Sequence, residues 1–93
     1  MTAVDRRPRL ARRARLRYDG KSGKYVLLSP ERGMVMNATA ADILARFRGE
    51  LTVPAIADEL AGLYEGIARD AIEADIEQLL EVLADRGLLD PTG

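Results

Sequence analysis

Hydrophobic and polar residues alternate along the first third of the chain, the pattern of half-buried β-strands. Apolar side chains recur at even spacing through residues 10–18 with arginines between them, which predicts a strand with one solvent-exposed, basic face. Residues 19–23 are rich in turn formers and lead into a second extended stretch at residues 24–29. A turn containing proline at residues 29–33 leads into a third extended stretch at residues 33–37. The pattern therefore predicts three short antiparallel strands.

The remainder of the chain follows the helical period. Asn37 or Thr39 is a suitable cap for a first helix, which ends before Gly49. Thr52 opens a second, short helix. A third and longer helix is predicted over residues 68–86, because its apolar residues follow the i, i+4, i+7, i+8, i+11 spacing of a single buried face. These residues are Ile72, Ile76, Leu79, Leu80 and Leu83.

The predicted elements form an α+β domain, winged-helix-like in content, with a three-stranded antiparallel sheet followed by three helices. The length of 93 residues and a hydrophobic share of 47% fit one globular domain. Residues 1–9 lack a periodic apolar pattern and are expected to be a flexible arm, whereas residues 10–90 form the domain. A small core and an open sheet edge also admit a homodimer, by simple association or by exchange of a segment.

Residue types that carry much of enzyme chemistry are missing. The chain has no cysteine and no histidine, which excludes thiolate chemistry, disulfides and iron–sulfur ligation. No acidic loop has the spacing of a calcium site, so we expect no metal and no cofactor. Glu31 and Asp75 are carboxylates without a catalytic motif around them, so we expect that the protein is not an enzyme. No stretch is typical of a secretory signal or a membrane span, which predicts a soluble, cytoplasmic protein.

Charged residues divide the chain into a basic and an acidic part. Residues 1–36 contain ten Arg and Lys against three Asp and Glu, and residues 37–93 contain four against twelve. A winged-helix DNA-binding regulator would place arginines on phosphates and a helix in the major groove. The predicted third helix carries six acidic residues and two arginines, which would repel phosphate. The charge pattern therefore favours a partner other than nucleic acid.

The stretch LLSPERGMVMNATAADIL, residues 27–44, combines an apolar strand, a Pro-Glu turn and an Asn-x-Thr-Ala helix cap. With its surroundings it resembles the signature of the pyrroloquinoline quinone biosynthesis protein D (PqqD) family. The resemblance covers almost the whole chain and departs at Phe47-Arg48-Gly49, where family members often carry Asp-Gly. The matching surroundings are Pro8-Arg9-Leu10, Arg15-Leu16-Arg17, Leu51-Thr52-Val53 with Ile56, Asp75-Ile76 and Leu79-Leu80.

The resemblance implies a RiPP recognition element, a peptide chaperone or adaptor that captures the leader of a ribosomally made precursor peptide. The peptide would be PqqA. The partner enzyme would be the radical S-adenosylmethionine protein PqqE, which links a glutamate to a tyrosine in that peptide. Recognition elements of this kind serve many pathways, so another precursor peptide stays an alternative. In the family, the leader adds as an extra strand to the third strand and lies against the last helix.

The family's binding mode maps onto named residues of this chain. On the third strand these are Met34, Val35 and Met36, whose backbone would pair with the peptide; their side chains could equally be core. Arg13, Arg15 and Arg17 line one face of the predicted first strand and could meet acidic groups of PqqE or the leader. Pairing of these arginines with the protein's own acidic helices is the commoner arrangement. On the last helix the predicted contacts are Asp75, Gln78, Leu79, Val82 and Arg86, with Val82 as an equal candidate for the core.

Overall fold

The sheet has one central strand with an antiparallel neighbour on each side. The computed structural model describes residues 6–90, in which three strands precede three helices. This order confirms the predicted α+β fold. The elements are β1 (Arg15–Asp19), β2 (Lys24–Leu28), β3 (Gly33–Met36), α1 (Ala38–Leu44), α2 (Val53–Leu63) and α3 (Arg69–Asp85).

Pairing across the strands places one row of apolar side chains toward the helices. Leu27 on β2 lies opposite Leu16 on β1 and Met34 on β3, and its side chain is almost fully buried. Successive side chains of a strand point to opposite faces, so the neighbouring rows point away from the core. This outer sheet face carries Arg15, Arg17, Val26, Leu28 and Val35.

The helices form a core with the inner face of the sheet. α3 packs mainly against α2. Four of the five residues predicted for the buried face of α3 are buried, whereas Leu79 lies half-buried at the margin. Within residues 6–90, no helix is long and apolar enough to cross a membrane. The core includes Leu27, Met36, Ile43, Leu44, Phe47, Ile56, Leu60, Ile72, Ile76, Leu80 and Leu83.

A cluster of polar contacts on Arg69 fixes the start of α3 against α2. The guanidinium donates hydrogen bonds to the carboxylate of Asp58, to that of Glu73 at 2.6 Å and to the carbonyl of Pro54 at 3.2 Å. Asp58 first and then Glu73 raise the pKa of Arg69 above its ordinary value. Because the groups are open to solvent, the cluster orients the helices more than it stabilises them.

Side-chain caps begin the first two helices. The Oδ1 atom of Asn37 accepts the N–H of Ala40 at 2.7 Å, and the Oγ1 atom of Thr52 accepts the N–H of Ala55 at 3.3 Å. Of the two residues predicted as caps of α1, Asn37 is therefore the cap and Thr39 lies in the first turn. The cap matters for α1 in particular, since a helix of seven residues has little stability of its own.

Gly87 ends α3 as predicted. Its φ of 67° lies in the left-handed region that glycine adopts without a Cβ penalty. The N–H of Leu88 then donates to the carbonyl of Leu83 at 2.9 Å, and the Leu88 side chain folds back into the core.

The N-terminal segment differs from its prediction. β1 begins at Arg15 rather than at residue 10, because the N–H of Ala14 donates to the carbonyl of Ala11 at 3.0 Å and turns the chain. Ala14 is nevertheless buried. The even spacing of apolar residues that predicted a longer strand thus reflects burial on both sides of a turn.

Residues 8–11 form a segment that we call the N-terminal clamp. Its backbone groups bond to residues 47–49 on one side and to residues 88–90 on the other, at 2.8 to 3.1 Å, and Pro8 is buried. Residues 1–5 of the expected flexible arm lie outside the described residues. The clamp therefore places ordered backbone ahead of residue 10, the expected start of the domain.

We expect Asn37→Ala to lower the free energy of unfolding by about 1 kcal/mol, since the N–H of Ala40 loses its acceptor. Urea denaturation followed by circular dichroism measures the change. Asn37→Asp keeps an acceptor and serves as the control. Equal losses in the two variants would show that the cap is not the cause.

Candidate peptide-binding site

The open edge of β3 presents unpaired backbone groups. Within residues 6–90, β3 has β2 as its only neighbouring strand. The N–H of Ser29 donates to the carbonyl of Arg32 at 3.0 Å and closes the hairpin. Bonded and non-bonded pairs alternate along an antiparallel ladder, so Met34 and Met36 bond to β2. It follows that the N–H and carbonyl of Val35 point away from β2, toward the open edge.

A groove lies between α3 and the first turns of α1. Its volume is about 360 Å³. The half-buried side chains of Leu79 and Val82, with the buried Ile43, give it an apolar floor, and Asp75 and Gln78 give it a polar rim. We call this the helix groove. It is lined by Asn37, Thr39, Ala40, Ile43, Asp75, Gln78, Leu79 and Val82.

A second groove of about 290 Å³ lies at the other end of β3, where the hairpin turn meets the end of α3. We call this the turn groove. Its floor is apolar at Met34 and Leu88, and three guanidinium groups and two carboxylates stand around it. It is lined by Arg13, Ser29, Pro30, Glu31, Arg32, Met34, Asp85, Arg86 and Leu88.

The structure brings the five predicted residues of α3 to these two grooves. Asp75, Gln78, Leu79 and Val82 all line the helix groove, and Arg86 lines the turn groove. Val82 is half-buried and reaches an accessible surface. Since α3 borders both grooves, they lie along the same helix, one at its middle and the other at its C-terminal end.

The three predicted residues of β3 lie in three different environments. Met34 is half-buried and lines the turn groove. The Val35 side chain is 66% exposed and lies on the outer sheet face, away from both grooves. Met36 is 7% exposed and belongs to the core. Only Met34 therefore offers its side chain to a ligand in a groove, and the contribution of Val35 is its backbone.

The three predicted arginines do not share one strand face. Arg13 lies in the turn before β1, and its guanidinium donates to the carbonyl of Gly87 at 2.7 Å. The predicted position of Arg13 on a strand face is wrong, because β1 begins two residues after it. Arg15 and Arg17 do share the outer sheet face, and within residues 6–90 neither forms an ion pair with the acidic helices.

The sequence pattern does not predict the wall that α1 gives to the helix groove. From the sequence, Asn37, Thr39 and Ala40 indicate only the start of a helix. The available signal was their position, because α1 begins directly after β3 and its first turn must border any groove at that end of the strand. No group of three or more acidic side chains among the described residues is arranged to hold a metal ion.

Comparisons with known proteins agree with this fold. The family described as "Coenzyme PQQ synthesis protein D (PqqD)" matches residues 24–89. The "PqqA binding protein" of Bradyrhizobium diazoefficiens is 39% identical over 83 residues, covering 89% of this chain and 80% of the relative.

Two solved structures share the architecture. The PqqD truncation of Methylobacterium extorquens PqqCD, described as a functional and stand-alone RiPP recognition element, superposes with a TM-score of 0.81 at 38% identity, covering 97% of this chain and 94% of the other. TbiB1 in complex with the TbiA(beta) leader peptide has the same fold at 18% identity, with a TM-score of 0.73 and coverage of 91% and 98%. From the family match and the identity to these relatives, the chain belongs to the PqqD family.

Proposed function

We propose that this chain is a peptide-binding adaptor of pyrroloquinoline quinone biosynthesis, which binds the precursor peptide PqqA and presents it to the radical S-adenosylmethionine enzyme PqqE. The observation that carries the proposal is the open backbone edge of β3 beside two grooves along α3. Relatives named for binding PqqA support the choice of peptide. The adaptor role leaves the chemistry to the partner enzyme.

Affinity in this mechanism comes from addition of a strand to β3. The exposed N–H and carbonyl of Val35 bond to the peptide backbone, each bond contributing about 1 kcal/mol net. Backbone pairing is largely independent of the peptide's side chains. Strand addition therefore fixes the peptide beside α3 but does not by itself select PqqA.

Selectivity comes from the grooves. Alternate side chains of an added strand point to the helical side of the sheet, as Met34 and Met36 do. Peptide side chains on that side meet the apolar floor formed by Leu79 and Val82. Full burial of one aliphatic or aromatic side chain contributes about 1.5–3 kcal/mol. The leader of a bound peptide is therefore expected to place apolar residues toward α3.

The charges of α3 disfavour nucleic acid as the partner. Asp75, Glu77 and Glu81 are exposed on this helix. A helix with these carboxylates would repel phosphate in a DNA groove. An uncharged, apolar stretch of peptide carries no such penalty.

Titration of the isotopically labelled protein with synthetic PqqA, followed by amide NMR shifts, tests the function directly. We expect the largest shifts at β3 and along the groove side of α3. Shifts confined elsewhere would reject the site, and the absence of binding would reject the function. Retardation of duplex DNA at moderate salt would instead favour a nucleic-acid partner.

Val82→Glu is expected to weaken PqqA binding by about tenfold or more, because it places a charge on the apolar floor of the helix groove. Isothermal titration calorimetry measures the affinity. Ala84→Glu is the matched control, since Ala84 is exposed and points to the other side of α3. Unchanged affinity in Val82→Glu, with the fold verified by circular dichroism, would remove Val82 from the site.

Val35→Pro tests strand addition at the backbone. Proline removes the N–H that points to the open edge, and edge strands tolerate proline where that N–H faces solvent. We expect PqqA binding to fall by about tenfold, with the amide spectrum of the helices unchanged. Val35→Thr keeps the backbone and a high strand propensity, so it should bind like the wild type. Tight binding by Val35→Pro would contradict pairing through Val35.

A further inference from the structure

The outer sheet face is more apolar than a solvent-facing sheet requires. An antiparallel sheet packed on one side normally presents polar residues on the other. Here the outer face carries Val26, Leu28 and Val35, of which Leu28 is 38% and Val35 66% exposed. Apolar side chains grouped on a surface are typical of a contact with another protein.

These aliphatic side chains form one continuous surface. Val26 is the cross-strand partner of Val35, and Leu28 is the partner of Gly33. A Cβ atom at Gly33 would lie 3.1 Å from Val26 Cγ1 and 3.3 Å from Leu28 Cδ2. The side chains of Val26 and Leu28 therefore crowd the space that a side chain at position 33 would take. A hollow of about 330 Å³ adjoins them, bordered by Arg17.

Two arginines give this surface a positive edge. Arg17 lies opposite Val26 and Arg15 opposite Leu28, on the strand next to the apolar side chains. Both arginines are exposed, and neither is ion-paired within residues 6–90. A complementary partner therefore presents apolar side chains with carboxylates beside them.

A second copy of the chain does not fit this surface. Symmetric pairing of two outer faces would bring four arginines into one contact, two from each copy. The acidic residue of this face is Asp19, which lies opposite Lys24. The Asp19 carboxylate already accepts hydrogen bonds from the Ser22 hydroxyl and the Lys21 N–H, which lower its pKa and engage its oxygens within its own chain. The charges thus favour an acidic partner of a different kind.

We propose that the outer sheet face, with Arg15, Arg17, Val26, Leu28 and Val35, is the surface that contacts PqqE. This inference rests on the proposed function, because it assigns a second surface to the same adaptor. The grooves lie along α3 on the inner side of the sheet, and the outer face points away from them. One molecule therefore holds the peptide and the enzyme at once.

Binding of purified PqqE to charge and apolar variants tests the proposal. Arg15→Glu with Arg17→Glu is expected to weaken PqqE binding by about tenfold or more, and Leu28→Thr severalfold. Arg12→Glu with Lys21→Glu is the matched control, since both residues are exposed in turns outside the outer sheet face. We expect the control to bind PqqE within about threefold of the wild type, since mutated charges remote from a contact act mainly on the association rate.

Titration of the same variants with PqqA separates this proposal from the proposed function. All of them should bind PqqA as the wild type does, which also shows that they fold. Wild-type PqqE affinity in the Arg15→Glu, Arg17→Glu variant would overturn the outer-face assignment, as would a wild-type chain that binds PqqA but not PqqE. A wild-type chain that binds PqqE but not PqqA would overturn the proposed function and leave the outer face as an enzyme contact.

Discussion

Burial of one stripe of α3 is the constraint on which the rest of the structure depends. Ile72, Ile76, Leu80 and Leu83 are almost fully removed from solvent, and each such side chain contributes about 1.5–3 kcal/mol. This stripe sets the rotation of the helix about its axis. Leu79 and Val82 are consequently held half-buried beside the first turns of α1, where they form the floor of the helix groove. The same contacts that stabilise the fold therefore shape the candidate site.

The sheet separates the two surfaces of the molecule. Its inner face is covered by the helices and its outer face combines aliphatic side chains with arginines. Val35 belongs to both surfaces, because its backbone faces the open edge while its side chain faces outward. The proposed peptide and enzyme contacts are adjacent but distinct, so neither partner would have to displace the other.

Periodicity predicted the elements well because it reports burial directly. The spacing of Ile72 to Leu83 predicted the long helix, and Asn37 and Thr52 cap the helices that their positions indicated. Whether a β3 side chain points to the core or to solvent depends on the register of β3 with β2. A local sequence pattern does not contain that register. Met36 therefore lies in the core and Val35 outside. The first turns of α1 border the groove for a similar reason, since only the packed fold shows what adjoins α3.

The local sequence pattern could not predict where the structural elements near the N-terminus begin. The spacing of Leu10 and Ala14 imitates a strand, but the partners of the N-terminal clamp lie near residues 48 and 89. The same spacing predicts a strand face for Arg13, whose guanidinium instead donates to the carbonyl of Gly87, after the end of α3. Long-range partners of this kind are invisible to a window of ten or fifteen residues.

The N-terminal clamp also has a consequence for synthesis of the protein. Hairpins and the packing of α2 on α3 join neighbouring parts of the sequence, whereas the clamp also joins residues 9–11 to residues 88–90. Contacts between residues this far apart in sequence slow folding. During translation the first residues emerge from the ribosome long before their partners. Arg9 and Ala11 therefore cannot bond to Asp90 and Leu88 until these two partners have left the exit tunnel.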